Sequence, residues 1–252
     1  MNVTSPHDTA VIRDLAKRVA EAAGDPAMAQ RRAQWVAHNA LRSTYPMMLI
    51  FPEGSWGELL PGASLACTDE RARKIEWALR ARLYTWEHFA DDTVLEKDWA
   101  VGPVITSTGY GLEPLRHDSP EARGAWGFDP VIKEPADLKK LRFPELAYDE
   151  KATEDELERM QSLLGDILDV KRTGVAHISF HLTNRYIAYR GLTEMMMDMI
   201  DEPAFAHELL SFFAESERRR VAQLTGMNLL SLNNNGTYQN SGGNGYTDEL
   251  PA

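Results

Sequence analysis

Apolar residues recur along this chain with two different periods, and the alternation between them suggests a fold class. Val11, Ile12, Leu15 and Val19 fall on one helical face, predicting a helix over residues 8 to 23. Asp25-Pro26 has the form of an N-cap followed by proline at the first helical position. It predicts a second helix to about Leu41 with Met28, Trp35 and Val36 among its apolar residues. Pro46 to Phe51 is instead a continuous apolar run of strand length. Thr68, with Asp69 and Glu70 behind it, predicts the start of a helix to about Ala90, its buried side marked by Ile75, Leu79 and Leu83. Thr93 to Val101 is expected to be a second strand.

Residues 102 to 148 change character, with Gly, Pro and aromatic residues interleaved and only short regular segments. This stretch has the pattern of an insertion or covering flap, closing on a short helix between Pro135 and Pro144. Thr153 and Glu156 form the pattern of a capping box for a helix carrying Leu157, Met160, Leu164, Ile167 and Leu168. Val175 to Phe180 predicts a third strand, with His181 to Tyr186 as its loop, followed by a helix over about Tyr189 to Ile200. The methionines of that helix, Met195 to Met197, are expected to fill core rather than bind metal. Phe205, Leu209, Phe212 and Phe213 mark one more helix with Gly226 as its C-cap, and Leu229 to Leu232 a fourth strand. Strands alternating with helices in this order predict a parallel α/β fold.

Composition narrows the function classes. The net charge of −11 without clustered Lys and Arg argues against a nucleic-acid backbone as partner. The single cysteine, Cys67, allows no disulfide within the chain and suits a cytoplasmic protein. No run of 18 or more apolar residues occurs, so no membrane span is expected. No glycine fingerprint for a dinucleotide or phosphate loop follows any predicted strand.

Three segments resemble the uroporphyrinogen decarboxylase superfamily, which includes the heme-pathway decarboxylase and zinc-dependent methyltransferases serving corrinoid or thiol acceptors. They are Glu-Pro-Ala-Asp-Leu-Lys-Lys-Leu-Arg-Phe-Pro-Glu-Leu at 134–146, the stretch from His177 to Phe213, and Asn-Leu-Leu-Ser-Leu-Asn-Asn-Asn-Gly at 228–236. The resemblance implies an α/β fold of the (β/α)8 TIM-like barrel type with its site at the C-terminal strand ends. On that reading residues 1–45 are N-terminal helices. Residues 46–252 are then the N-terminal part of a barrel domain, about its first four strands. Where the heme-pathway enzyme carries an arginine-bearing loop, this chain has Pro-Glu-Gly-Ser-Trp-Gly-Glu at 52–58, which would repel a substrate with many carboxylates.

The strand ends supply the candidate chemistry. Glu53 is the expected proton acceptor, with His181 and Tyr186 as further catalytic candidates. Trp56, Asn184, Asn233, Asn234 and Tyr238 are expected to bind substrate, and Glu96 and Asp98 are weaker candidates. His177 and His181 would lie about 13 Å apart along an extended strand, too far to chelate one metal, leaving His177 as a buried strand residue. The function expected is methyl transfer between a small methylated substrate and a corrinoid or thiol acceptor, with zinc and a corrinoid protein as implied cofactor and partner. The zinc ligands themselves are expected outside these residues. Cofactor-free decarboxylation and non-catalytic binding are the alternatives.

Overall fold

A computed structural model of the chain describes residues 5–43, 45–121, 124, 126–238 and 243–249. In chain order the helices are α1 (Pro6–Ala23), α2 (Pro26–Asn39), α3 (Trp56–Leu59), α4 (Glu70–His88), α5 (Glu150–Leu164), α6 (Leu182–Arg190), α7 (Leu192–Asp201) and α8 (Pro203–Gly226). The strands are β1 (Asp98–Val101), β2 (Val104–Ser107), β3 (Leu115–His117), β4 (Gly127–Asp129), β5 (Leu146–Asp149) and β6 (Asp169–Arg172). The protein is a mixed α/β chain in which helix dominates and the sheets are short. It divides into two compact units, residues 1–102, 151–173 and 232–252 forming one, and residues 103–150 and 174–231 the other.

The core of the first unit is helix against helix. The Ile12, Leu15, Ala16 and Val19 stripe of α1 and the Ala72, Ile75, Leu79 and Leu83 stripe of α4 are buried in one cluster, which also takes Met160, Leu163 and Leu164 of α5. Each fully buried Leu or Ile contributes about 1.5–3 kcal/mol, so this cluster dominates the unit's stability. The start of α4 differs from expectation by one residue. Asp69 is the N-cap, accepting from the amides of Arg71 and Ala72 at 3.0 Å, while Thr68, itself exposed, donates through its amide and hydroxyl to buried Asp8. α5 begins at Glu150, directly after β5, so Thr153 lies buried inside the helix and the expected capping box does not form.

The predicted strands are largely replaced by irregular chain. Pro46–Phe51 has no ladder. Its amides at Met48 and Ile50 donate to the side chains of Asp92 (2.7 Å) and Asp91 (3.0 Å), and Met48 accepts from the Asp92 amide, so carboxylates take the place of a neighbouring strand. The second strand shortens to β1, because Thr93 is turned by Asp91 and the Leu95 amide points at the Met28 sulfur. β1 pairs in parallel with β6, Asp98 opposite Asp169 and Val101 opposite Arg172. Residues Trp99, Val101 and Val170 pack on the helical core, and the alternate positions Asp98, Ala100 and Lys171 form the other face.

In the second unit, β2 pairs antiparallel with β5 and β3 with β4. Here Val175–Phe180 and Leu229–Leu232 make a single parallel bridge, Val175 to Leu230, instead of two strands. Leu230 and Leu232 are 39% and 70% exposed, so the burial that would hold a parallel strand is missing. His177, expected inside, is exposed. The expected loop at His181–Tyr186 is instead the start of α6, and Gly191, at φ 93°, separates α6 from α7 where one helix was expected. The methionine expectation fails as well. Met195 reaches the core of Tyr186, Tyr189, Phe205, Leu209 and Phe213, but Met196, Met197 and Met199 of α7 are more than half exposed. α8 ends with Asn228, not Gly226, in the left-handed region.

Candidate functional site

A concavity with both aromatic and charged walls lies within the first unit and has a volume of about 610 Å³. α3 and α4 supply indoles to it. Trp56 meets Trp77 edge to face with ring centroids 5.7 Å apart, and Tyr84 and Phe89 pack against Trp56 from behind. Trp77, Ala81, Arg82 and Thr85 form a second stripe on α4, beside the stripe that packs on α1. The facing wall is the outer part of the β1–β6 pair with the irregular segment before it, contributing Glu96, Asp98, Ala100, Lys171 and Thr173. Asn235, Gly236 and Thr237 close one end.

The charges in this cleft are mostly matched. Lys171 donates to Asp98 at 2.8 Å, which raises the ammonium's pKa, chiefly through that hydrogen bond. Glu96 is paired with Arg32 at 3.4 Å. Arg82 differs. Its Nη2 donates to the Asp98 backbone carbonyl at 2.9 Å, and it has no ion pair among the described residues. Burial lowers its pKa against the opposing pull of Glu96 and Asp98. Behind Gly236, the ring of Tyr246 is fully buried with the Arg32 guanidinium 5.1 Å above it. Burial, and then the neighbouring Glu96 charge, push the Tyr246 hydroxyl's pKa up, yet that hydroxyl completes no hydrogen bond among the described residues.

Of the residues expected from the sequence, Trp56 lines the cleft. Glu53 opens a short 3-10 turn just before it, exposed and at φ 48°, and is not among the lining residues. Asn233 and Asn234 directly precede the Asn235–Thr237 end in the chain and are not among the lining residues. The Asn233 carbonyl accepts from the Asn235 amide, and Asn234 clasps the Thr247 backbone in both directions, at 2.8 and 2.9 Å. Tyr238 stacks on Phe51, a lining residue, at 4.0 Å between centroids. The weaker candidates Glu96 and Asp98 are both in the wall.

His181, Asn184 and Tyr186 belong to the second unit. His181 precedes α6 without a capping hydrogen bond from its side chain, and Asn184 is exposed on the first turn. Tyr186 is fully buried and donates to Asp198 at 2.7 Å, while Arg190 grips the same carboxylate at 2.8 and 2.9 Å. Burial, then the Asp198 hydrogen bond, push the Tyr186 hydroxyl well above its ordinary range, so it holds its proton tightly.

No family model, no curated protein and no solved structure matches this chain. What the site can do is therefore argued from its own groups. Among the described residues no three His, Cys, Asp or Glu side chains are placed to hold a metal ion. Cys67 is buried and its thiol is pushed up to about 12, first by burial and then by Glu76, so it is a poor source of a thiolate ligand. Among the described residues no helix is long and apolar enough to cross a membrane.

Sequence reading missed Arg82, Lys171, Trp77 and Trp99. A charged residue on an amphipathic helix has the pattern of a solvated face, and Arg82 differs only because Trp77, Ala81 and Thr85 share its stripe. That second stripe, aromatic and small at spacings of four, was the available signal.

Proposed function

We propose that this protein is an enzyme of the uroporphyrinogen decarboxylase type of superfamily, and that it transfers a methyl group from a small methylated compound to a corrinoid or thiol acceptor. The observation that carries the reading is the cleft itself. Indole faces and edges suit methyl-bearing apolar groups, and the Asp98–Lys171 pair and Glu96 lie opposite them on a polar, uncovered strand face. In this reading the indoles position the methyl donor and exclude water. Lys171 and Glu96 are the groups that can give or hold a proton at the leaving atom. Decarboxylation is less favoured, because Glu53, the carboxylate suited to it, stands outside the cleft lining.

The test is to incubate the protein with a panel of methylated amines, thioethers and methoxy compounds, with reduced corrinoid or a thiol as acceptor, and to follow the methylated acceptor by mass spectrometry. Transfer that falls at least about tenfold in Lys171→Met supports the reading. Carbon dioxide release without methyl transfer would replace it with the lyase.

A further inference from the structure

We propose that Arg82 is a carboxylate anchor, and that the ligand of the first unit's cleft is a monocarboxylate with a flat apolar body. The inference deepens the proposed function by naming a ligand class for the same cleft. It rests on that cleft being the ligand site, and not on the reaction.

The argument is one of charge matching inside a walled space. The cleft and its rim hold three cations and two carboxylates. Lys171 is matched by Asp98 at 2.8 Å, and Arg32 by Glu96 at 3.4 Å. Arg82 is left with a backbone carbonyl as its hydrogen-bond partner, through Nη2 alone, so Nε and Nη1 have no hydrogen bond among the described residues. A guanidinium presents its donors as a planar fork, and the unused side of that fork matches the two oxygens of a carboxylate. Glu96 and Asp98 act on Arg82 without ion-pair contact and are each paired with another cation, so a half-buried arginine with no carboxylate in contact is costly, and arriving substrate charge offsets the cost.

The same matching limits the ligand's charge. One unmatched cation accepts one negative charge. A second would meet Asp98 and Glu96 in the same wall without a free partner. The body of the ligand is set by the indoles, since Trp56 and Trp77 line the space. Flat apolar groups pack against such rings with little loss of ligand freedom.

The two lining indoles also provide the readout. Benzoate is titrated against the intact protein by tryptophan emission, with benzamide as the uncharged match and phthalate as the dianion. Benzoate should bind saturably, and benzamide about tenfold or more weakly. Arg82→Gln should lose the benzoate preference while binding benzamide as before, and Arg82→Lys should keep part of it. Asp98→Asn leaves the backbone carbonyl under Arg82 and frees Lys171, so phthalate should gain about tenfold in affinity there. Far-UV circular dichroism checks the fold of each variant. Asp98→Asn tests the charge matching with Arg82 in place, even where Arg82→Gln does not fold. Equal benzoate binding by Arg82→Gln, or no gain of phthalate by Asp98→Asn, would overturn the anchor. Benzoate binding that depends on Arg82, in a protein that transfers no methyl group, would reject the reaction and leave the anchor standing.

Discussion

Replacing Tyr186 by phenylalanine separates a structural tyrosine from a catalytic one. The substitution removes a single hydroxyl and leaves the ring in its fully buried place, so no cavity penalty accompanies it. What is lost is one hydrogen bond, 2.7 Å long, to the buried Asp198 carboxylate. Bonds to charged groups contribute about 1.5–3 kcal/mol. The lower part of that range applies, because Arg190 still holds both carboxylate oxygens through Nε and Nη2. A loss of about 1.5–2 kcal/mol, with a denaturant slope of roughly 2 kcal/mol per molar urea, lowers the unfolding midpoint by roughly 0.8–1 M. The assay is equilibrium urea unfolding followed by far-UV circular dichroism at pH 7 and at pH 3. Asp198 is held below the ordinary carboxylate range, first by Arg190 against the effect of burial, and then by Tyr186. Its contribution is therefore present above about pH 4 and is lost as pH falls below it, so the gap between variant and wild type should narrow at pH 3. A midpoint shift worth less than roughly 0.5 kcal/mol, the range of exposed substitutions, would refute the reasoning. Loss of methyl transfer at unchanged stability would do so too.

Other outcomes follow from equally local features. Cys67, buried and with its thiol pushed up to about 12, should resist iodoacetamide at pH 8 in the native protein and react fully in 6 M guanidinium, as read by intact mass. Asp137, pulled down to about 2 by Lys140 and by the amides of Lys133 and Glu134, stabilises its turn above the ordinary carboxylate range. Asp137→Asn should lower the urea midpoint at pH 6, and that difference should fade as pH falls from about 4 towards 2. Gly191→Ala forces a side chain into φ 93°, with its Cβ 2.3 Å from the Glu194 carboxylate. It should destabilise the α6–α7 break by about 1–3 kcal/mol in the same urea assay.

The longer helices α1, α2, α4 and α8 were legible because each carries its own evidence. The α1 and α4 stripes repeat every three or four residues, and Asp25 caps α2 from the adjacent residue, whereas the Ser5 and Asp69 caps went unread. Extended segments depend on partners distant in sequence, and no local pattern reveals whether those partners arrive. Pro46–Phe51 is apolar enough for a strand, yet its amides are taken by Asp91 and Asp92, some forty residues on. The candidate site was legible to a similar degree. Trp56 was singled out because loops after apolar runs attract attention, whereas in the later loop attention fell on Asn233, Asn234 and Tyr238, and it is Asn235, Gly236 and Thr237 between them that line the cleft. Arg82 and Lys171 were missed because a cation in a helix or strand has the pattern of a solvated surface until its neighbours in space are known. Tyr186 failed the other way. A tyrosine near a presumed strand end looks available, and only the tertiary contact with Asp198 shows its hydroxyl already committed.

The outward methionines of α7 have a chemical consequence beyond packing. A thioether that faces water is open to peroxide, and its sulfoxide is polar enough to sit comfortably where Met196, Met197 and Met199 already stand. Met28 and Met160, at 5% and 2% exposure, are shielded by the helical core, where the same oxygen atom would disrupt packing. Oxidant reaching this protein would therefore be consumed first at these outward thioethers and at the equally exposed Met48, ahead of the shielded core methionines, and reductase action there would restore them.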